Sequence, residues 1–178
     1  MHLMPAPNTP VSPQRMTGME PLDALDHIAI NDVLCRCFLA FDERDWTTME
    51  NCLAPEVFID YASSGRETPG TMRGAEFVQR RRNAIDTLAK HHSFSNLLLT
   101  KQEEGVRGRC NYLILRFDRD FKGEGEDFYH SCGAYEFRFG KADGAWKITS
   151  ITQRALQSWG NRQLHAGTRK GEAWDMKT

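Results

Sequence analysis

The chain has 178 residues, enough for one domain with its own core and no need of disulfide or metal staples. Lys and Arg total 23 against 24 for Asp and Glu, a net charge of −1, so charge gives no reason to expect nucleic acid or an anionic membrane as partner. No apolar run approaches the ~18 residues that span a bilayer.

The opening MHLMPAPNTPVSPQRMTGM lacks the apolar stretch of a signal peptide, which points to a cytoplasmic protein. Residues 1–20 are Pro-rich and polar and are expected to form a disordered arm before a domain at 21–160. From Glu20 to Phe41 the residues Leu22, Leu25, Ile28, Val33, Leu34, Cys37, Phe38 and Phe41 recur at mostly helical spacing. A second short helix is expected after Asp45 and stops before Pro55. EVFIDYAS then reads as a strand, SSGRETPGTMRG as a loop, and Phe77, Val78, Arg81, Ile85 and Leu88 as a third helix. QRRRN on that helix reads as a solvated face.

After Lys90 come four β-branched and aromatic segments separated by Gly-containing turns, with Asp143-Gly144 as a hairpin signal. Helices first and antiparallel strands after imply an α+β fold, a curved sheet with helices on one face. The segment from residue 161 to 178 reads as a polar tail. The cysteines at 35, 37, 52, 110 and 132 form no CxxC and read as reduced, core-filling thiols rather than a zinc site.

A curved sheet over helices leaves a concave apolar mouth, so the inward polar residues decide function. Asp45, directly before a helix, is a preferred N-cap. Asp42 lies four residues after Phe38, at the rim of the buried stripe, where a carboxylate needs a partner. Of His91 and His92, strand alternation lets only one face inward, and an imidazole beside a carboxylate suits general acid–base work near neutral pH. Tyr61 follows Ile59 on one face of the first strand. Alternation groups Cys110, Tyr112, Ile114 and Arg116 on one face, and Tyr129, Ser131, Gly133, Tyr135 and Phe137 on one face of the next strand, with His130, Cys132, Glu136 and Arg138 opposite. On the last strand Arg154 falls in phase with Ile148, Ser150 and Thr152. Phe38, Tyr112, Tyr135 and Trp159 are expected to line the cavity. No HExxH, GxSxG or dinucleotide fingerprint is present, and no metal or organic cofactor is called for.

FDERDWTTMENCLAPEVFIDYAS resembles the signature of the SnoaL-like branch of the nuclear transport factor 2-like superfamily, particularly its scytalone dehydratases and bile-acid dehydratases. The likeness rests on Asp42, Asp45-Trp46, Ala54-Pro55 and Ile59-Asp60-Tyr61, with the His92 strand, the DGAWKI hairpin and the SWG beyond it, and covers roughly residues 22 to 160. It implies a cone-shaped barrel of three N-terminal helices on a mixed, mainly antiparallel sheet. It also implies Asp42, His92 and Tyr61 as catalytic residues, with Arg116, Arg154, Tyr112, Tyr135, Phe38 and Trp159 around the substrate. The sequence departs from the scytalone dehydratases at Phe41, where they have tyrosine, at Arg116, where they have a second histidine, and at Gly133 and Tyr135, where they have serine and asparagine.

The leading expectation is a cofactor-free dehydratase or isomerase that removes a proton next to a carbonyl of a cyclic or polycyclic small molecule. The alternative is a non-catalytic binding or assembly module resembling the small subunit of ring-hydroxylating dioxygenases. An epoxide hydrolase has less support, because a second inward aspartate is not evident. Such domains form homodimers or homotrimers, and the outer face with His130, Cys132, Glu136 and Arg138 is expected to need cover.

Overall fold

A computed structural model describes residues 21–65, 68–84 and 86–166; the N-terminal arm and most of the C-terminal tail lie outside the described residues. Helix α1, Ala24–Glu43, begins at Asp23, whose side chain accepts the amide of Leu25, and ends at Arg44 in the left-handed conformation (φ 57°). The buried residues Ile30, Leu34, Cys37 and Phe38 form its core stripe at the i, i+4, i+7, i+8 spacing of one helical face. Leu25 and Ile28, expected in that stripe, are exposed at 76% and 58%, because on the helix they point away from the face that carries Ile30 and Leu34. Asp45 caps α2, Trp46–Cys52, as expected, accepting the amide of Thr48 at 3.0 Å.

Strands β1, Leu53–Asp60, β2, Gly70–Arg73, β3, Ala89–Lys101, β4, Val106–Phe117, β5, Tyr129–Ala142, and β6, Ala145–Gly160, form one sheet in the order β2-β1-β6-β5-β4-β3. β1 runs parallel to β6 and the other pairs are antiparallel. The sheet is mixed and does not close into a barrel; β2 and β3 are its edges. β2 falls in the segment expected to be a loop. Helix α3, Gly74–Asn83, stops before the expected Ile85 and Leu88, and a short α4, Gln163–Ala166, follows β6. The hairpin at Asp143-Gly144 is present, both residues having positive φ as a two-residue turn requires.

The helix-facing side of the sheet is apolar: Tyr112, Ile114, Tyr135, Phe137, Phe139, Ile148 and Ile151 are buried against α1 residues in one core. Alternation holds along β4 and β5 as expected, and a bulge at Asn96 (φ 56°) keeps Leu97 and Leu99 facing inward after His92 and Phe94. The outer face carries Leu113, Phe117, Leu156 and Trp159, each more than a third exposed. All cysteines are free thiols; burial pushes the Cys110 thiol up to about 12, consistent with an inert filler. No helix among the described residues is long and apolar enough to cross a membrane.

Candidate functional site

Asp42 sits in the last turn of α1, and β3 passes beside that helix end as an edge strand. Alternation turns His92 inward while His91 stays exposed. The Asp42 carboxylate receives two bonds from one residue: its Oδ2 accepts the backbone amide of His92 at 2.8 Å, and its Oδ1 lies 2.5 Å from the ring Nδ1. The side chains remain only 13% and 10% exposed. Phe38 stacks on the imidazole with ring centres 5.9 Å apart and Phe41 flanks it at 5.4 Å.

Arg44 fixes this junction. Its guanidinium donates to the carbonyls of Asp86 (2.7 Å) and Leu88 (2.9 Å), tying the end of α1 to the segment that enters β3. Helix α3 itself ends at Ala84, whose extended backbone (φ −68°, ψ 129°) turns its amide to the Arg81 carbonyl.

Burial pushes the Asp42 carboxyl up, but the ring and amide hydrogen bonds of His92 together outweigh it and hold the group below its ordinary value. Burial pulls the His92 imidazole down; Asp42 pulls it back up, and the charges of Arg116 and Lys90 add to the downward push, leaving it lowered from 6.5. An ionised Asp42 against a neutral imidazole places the ring proton on Nδ1, which leaves Nε2 as the basic nitrogen. This is the arrangement of a general base held in one tautomer by a carboxylate.

The remaining candidates divide. Phe38, Tyr112 and Tyr135 form an aromatic wall, with Tyr112 and Tyr135 4.6 Å apart and Phe38 5.9 Å from Tyr135. Gly133 opposes Tyr112 on β4; a Cβ there would lie 2.9 Å from the Tyr112 ring and 2.1 Å from the Arg154 carbonyl, so the absence of a side chain seats that tyrosine. Arg116 is buried on the same face, its Nη1 donating to Ser131 Oγ at 3.1 Å. Tyr61 is buried at the end of β1, its ring 6.4 Å from Phe77, with the Arg81 guanidinium 5.5 Å above it. Phe77 in turn meets Phe41 edge-on at 6.4 Å, and Phe41 meets His92, so two phenylalanine rings separate Tyr61 from His92. Arg81, within the segment that reads as a solvated face, instead packs on Phe77 at 4.7 Å.

Arg154 and Trp159 lie elsewhere. β6 pairs Ile148 with Phe139 but Ser150 with Arg138, so Thr149 is an extra residue and the phase of the strand inverts beyond it. Arg154 therefore points to the outer face, 69% exposed and 3.8 Å from Asp60. Gln153 takes the inward place, buried and donating to the Tyr135 hydroxyl at 2.9 Å. Trp159 pairs with His130 on the outer face, ring centres 5.6 Å apart. Sequence reasoning missed Gln153, for which no sequence signal exists without the bulge. It also passed over Lys90, whose place two residues before His92 puts it on the same face.

Among the described residues no cluster of three or more His, Cys, Asp or Glu could hold a metal ion. A groove of about 550 Å³ on the other side of α1, bordered by Leu25, Asp26, Arg36, Trp146 and Lys147, contains none of the candidate residues.

The sequence model of the SnoaL-like domain matches residues 23–152. Among solved structures the chain is similar to the Kfla4162 protein of Kribbella flavida, at 16% identity over 80% of this chain and 97% of that one, with a TM-score of 0.72. It is similar to a scytalone dehydratase candidate from Novosphingobium aromaticivorans (14% identity, 77% and 88% covered, TM-score 0.62). It is also similar to the hexachlorocyclohexane dehydrochlorinase LinA-type3 of Novosphingobium barchaimii (18% identity, 78% and 94% covered, TM-score 0.61). No curated protein matches the chain. At these identities the structural likeness is one of fold; the matched domain shows that the chain belongs to the SnoaL-like family.

Proposed function

We propose that this SnoaL-like domain is a lyase or isomerase that removes a proton next to a carbonyl group of a cyclic or polycyclic small molecule. The observation that carries the reading is the Asp42–His92 pair: a buried imidazole whose Nδ1 is held at 2.5 Å by a carboxylate, with Nε2 left basic. In the step itself the C–H electron pair moves into the adjacent carbonyl as His92 Nε2 takes the proton, and Asp42 stabilises the imidazolium. The imidazolium then returns the proton, either to a second carbon, which is isomerisation, or to a departing hydroxyl, which leaves as water. Tyr61, the third catalytic residue that the family resemblance implies, is separated from His92 by the rings of Phe41 and Phe77, so its phenol would meet a remote polar group of the substrate and not the carbonyl beside the abstracted proton. The rings of Phe38, Tyr112 and Tyr135 supply the apolar surface for the body of the substrate. The names of two similar structures, a dehydratase candidate and a dehydrochlorinase, support elimination chemistry.

The test is solvent-deuterium exchange. A panel of cyclic ketones and β-hydroxy ketones, incubated in D₂O and followed by proton NMR, is expected to lose α-proton signal with wild-type protein and not with His92→Ala. Equal exchange with both, or none across the panel, contradicts the reading and favours a binding or assembly module.

A further inference from the structure

Beside His92 the inner face of the sheet carries a second polar group whose charge the dyad does not use. Arg116 on β4 is directly opposite Lys90 on β3, one inward rung from the His92–Ile114 pair. It is 5% exposed. Its Nη1 donates to Ser131 Oγ at 3.1 Å and to the Tyr129 carbonyl at 3.5 Å, and its guanidinium lies 5.8 Å from the Tyr129 ring. Each of these partners is neutral.

Of the neighbouring charges, Lys90 is ion-paired with Asp86, whose carboxylate acts on Arg116 only from a distance, and ionised Asp42 is hydrogen-bonded to the neutral His92 ring. Among the described residues no carboxylate lies within ion-pairing distance of Arg116. A guanidinium keeps its proton in proteins, so it cannot escape burial by becoming neutral as a lysine or histidine can. A buried permanent cation held by neutral acceptors lacks an anion. The Ser131 hydroxyl beside it orients the fork and offers a further donor for the same anion.

We propose that Arg116 receives a carboxylate carried by the substrate, so that this site acts on an aromatic or alicyclic acid and not on a neutral compound. The inference rests on the acid–base reading of the same site and adds the charge of its substrate. Successive inward rungs of a strand are about 7 Å apart, which sets the acid group about one ring away from the carbon whose proton His92 takes. The rings of Phe38, Phe94, Tyr112 and Tyr135 meet the body between them. A planar carboxylate matches the guanidinium edge and would give Arg116 the contact ion pair that it lacks among the described residues.

The test compares 2-naphthoate with 2-naphthamide, two ligands of one shape and different charge, by calorimetry and by NMR on protein with labelled isoleucine methyls. Wild-type protein is expected to bind the acid at least tenfold more tightly than the amide, with intermolecular contacts to the Ile114 methyl. Arg116→Gln is expected to lose that preference, weakening the acid tenfold or more while the amide changes less than twofold; Arg116→Lys, which restores the charge, is expected to keep part of it. Equal affinities in the wild type, an acid preference unchanged in Arg116→Gln, or naphthoate contacts away from Ile114 each overturn the proposal. Should Arg116→Gln fail to fold, the wild-type comparison and the Ile114 contacts decide alone. Acid preference without deuterium exchange on cyclic keto acids would sink the acid–base reading and leave the carboxylate receptor standing; exchange on neutral ketones untouched in Arg116→Gln would do the reverse.

Discussion

Changing Asp42 to Asn separates what the carboxylate does for the fold from what it does for the imidazole. The asparagine carbonyl can still accept the His92 amide, now 2.8 Å from Oδ2, but its NH₂ then faces Nδ1, where Oδ1 stands at 2.5 Å. Nδ1 must become an acceptor, and the proton moves to Nε2, the nitrogen needed as base. Losing one charge-assisted bond costs about 1.5–3 kcal/mol. Part of that is returned, because Asp42 sits in a last helical turn that holds no basic residue, and removing a negative charge from a helix C-terminus is worth about 0.3–1 kcal/mol. The net loss is about 1–2 kcal/mol, a fall in Tm of about 2–8 °C for a domain of this size. Turnover, once a substrate is in hand, is expected to fall about 100- to 10,000-fold, roughly 3–5 kcal/mol of barrier. The direct assay is a long-range ¹H–¹⁵N correlation of the histidine rings at pH 8, with His92 assigned from the missing signal in His92→Gln. Wild type should show the Nδ1–H tautomer and Asp42→Asn the Nε2–H tautomer. An Nε2–H tautomer in the wild type, or the same tautomer in both, refutes the assignment of Nε2 as base.

Both members of the dyad have lowered pKa values, His92 from 6.5 and Asp42 from 3.8, so below pH 6.5 the unfolded chain takes up protons that the folded one refuses. Their stabilisation is present above those ordinary values and lost as pH falls through the folded ones; urea midpoints at pH 7.5, 6 and 5 should decline, and less so in His92→Gln. A wild-type protein that gains stability from His92 on acidification would show that the pull of Asp42 outweighs burial. Phe38, which meets His92, Phe94, Tyr135 and Phe137, is expected to cost about 3–5 kcal/mol when cut to alanine, measured by denaturant unfolding; a cost below about 1 kcal/mol would mean that the wall collapses around the gap. Arg44→Ala removes two bonds to the segment entering β3 and should cost about 1 kcal/mol, with faster amide exchange at Leu88 and Lys90; unchanged exchange there would show that the tie is idle. The outer face bearing Leu113, Phe117 and Trp159 is expected to be covered in a homodimer or homotrimer, and light scattering that reads a monomer at micromolar concentration would contradict this.

The parts of this molecule legible in the sequence are those fixed by local chemistry. The stripe from Leu34 to Phe41, the Asp45 cap, the Asp143-Gly144 turn and the alternation along β4 each follow from a spacing or a side chain acting within a few residues. Asp42 and His92, fifty positions apart, are linked in the sequence only by residue type and resemblance, and the fold brings them into contact. What stayed hidden depends on partners remote in sequence. The extra residue at Thr149 has no composition of its own, yet it sends Arg154 outward and Gln153 inward. β2 is a four-residue strand that exists through its pairing with Glu56 to Ile59. Helical spacing runs on to Leu88, but the chain leaves the helix at Ala84 in an extended conformation, and the segment beyond is tied to Arg44.

The strand order has a consequence for how such a site can change its substrate. The dyad is built wholly at one margin, from the end of α1 and the edge strand β3, and Arg44 fastens those two pieces to each other. The groups that would read a ligand, Arg116, Ser131, Tyr135 and Gln153, stand on β4, β5 and β6. The division makes the proton-handling unit separable from the recognising unit: substitutions across the middle of the sheet can reshape what enters without altering the tautomer of His92. A scaffold divided in this way lends itself to redesign, with the inward positions of β4 to β6 as the ones to vary and Phe38, Asp42, Arg44 and His92 as the ones to leave alone.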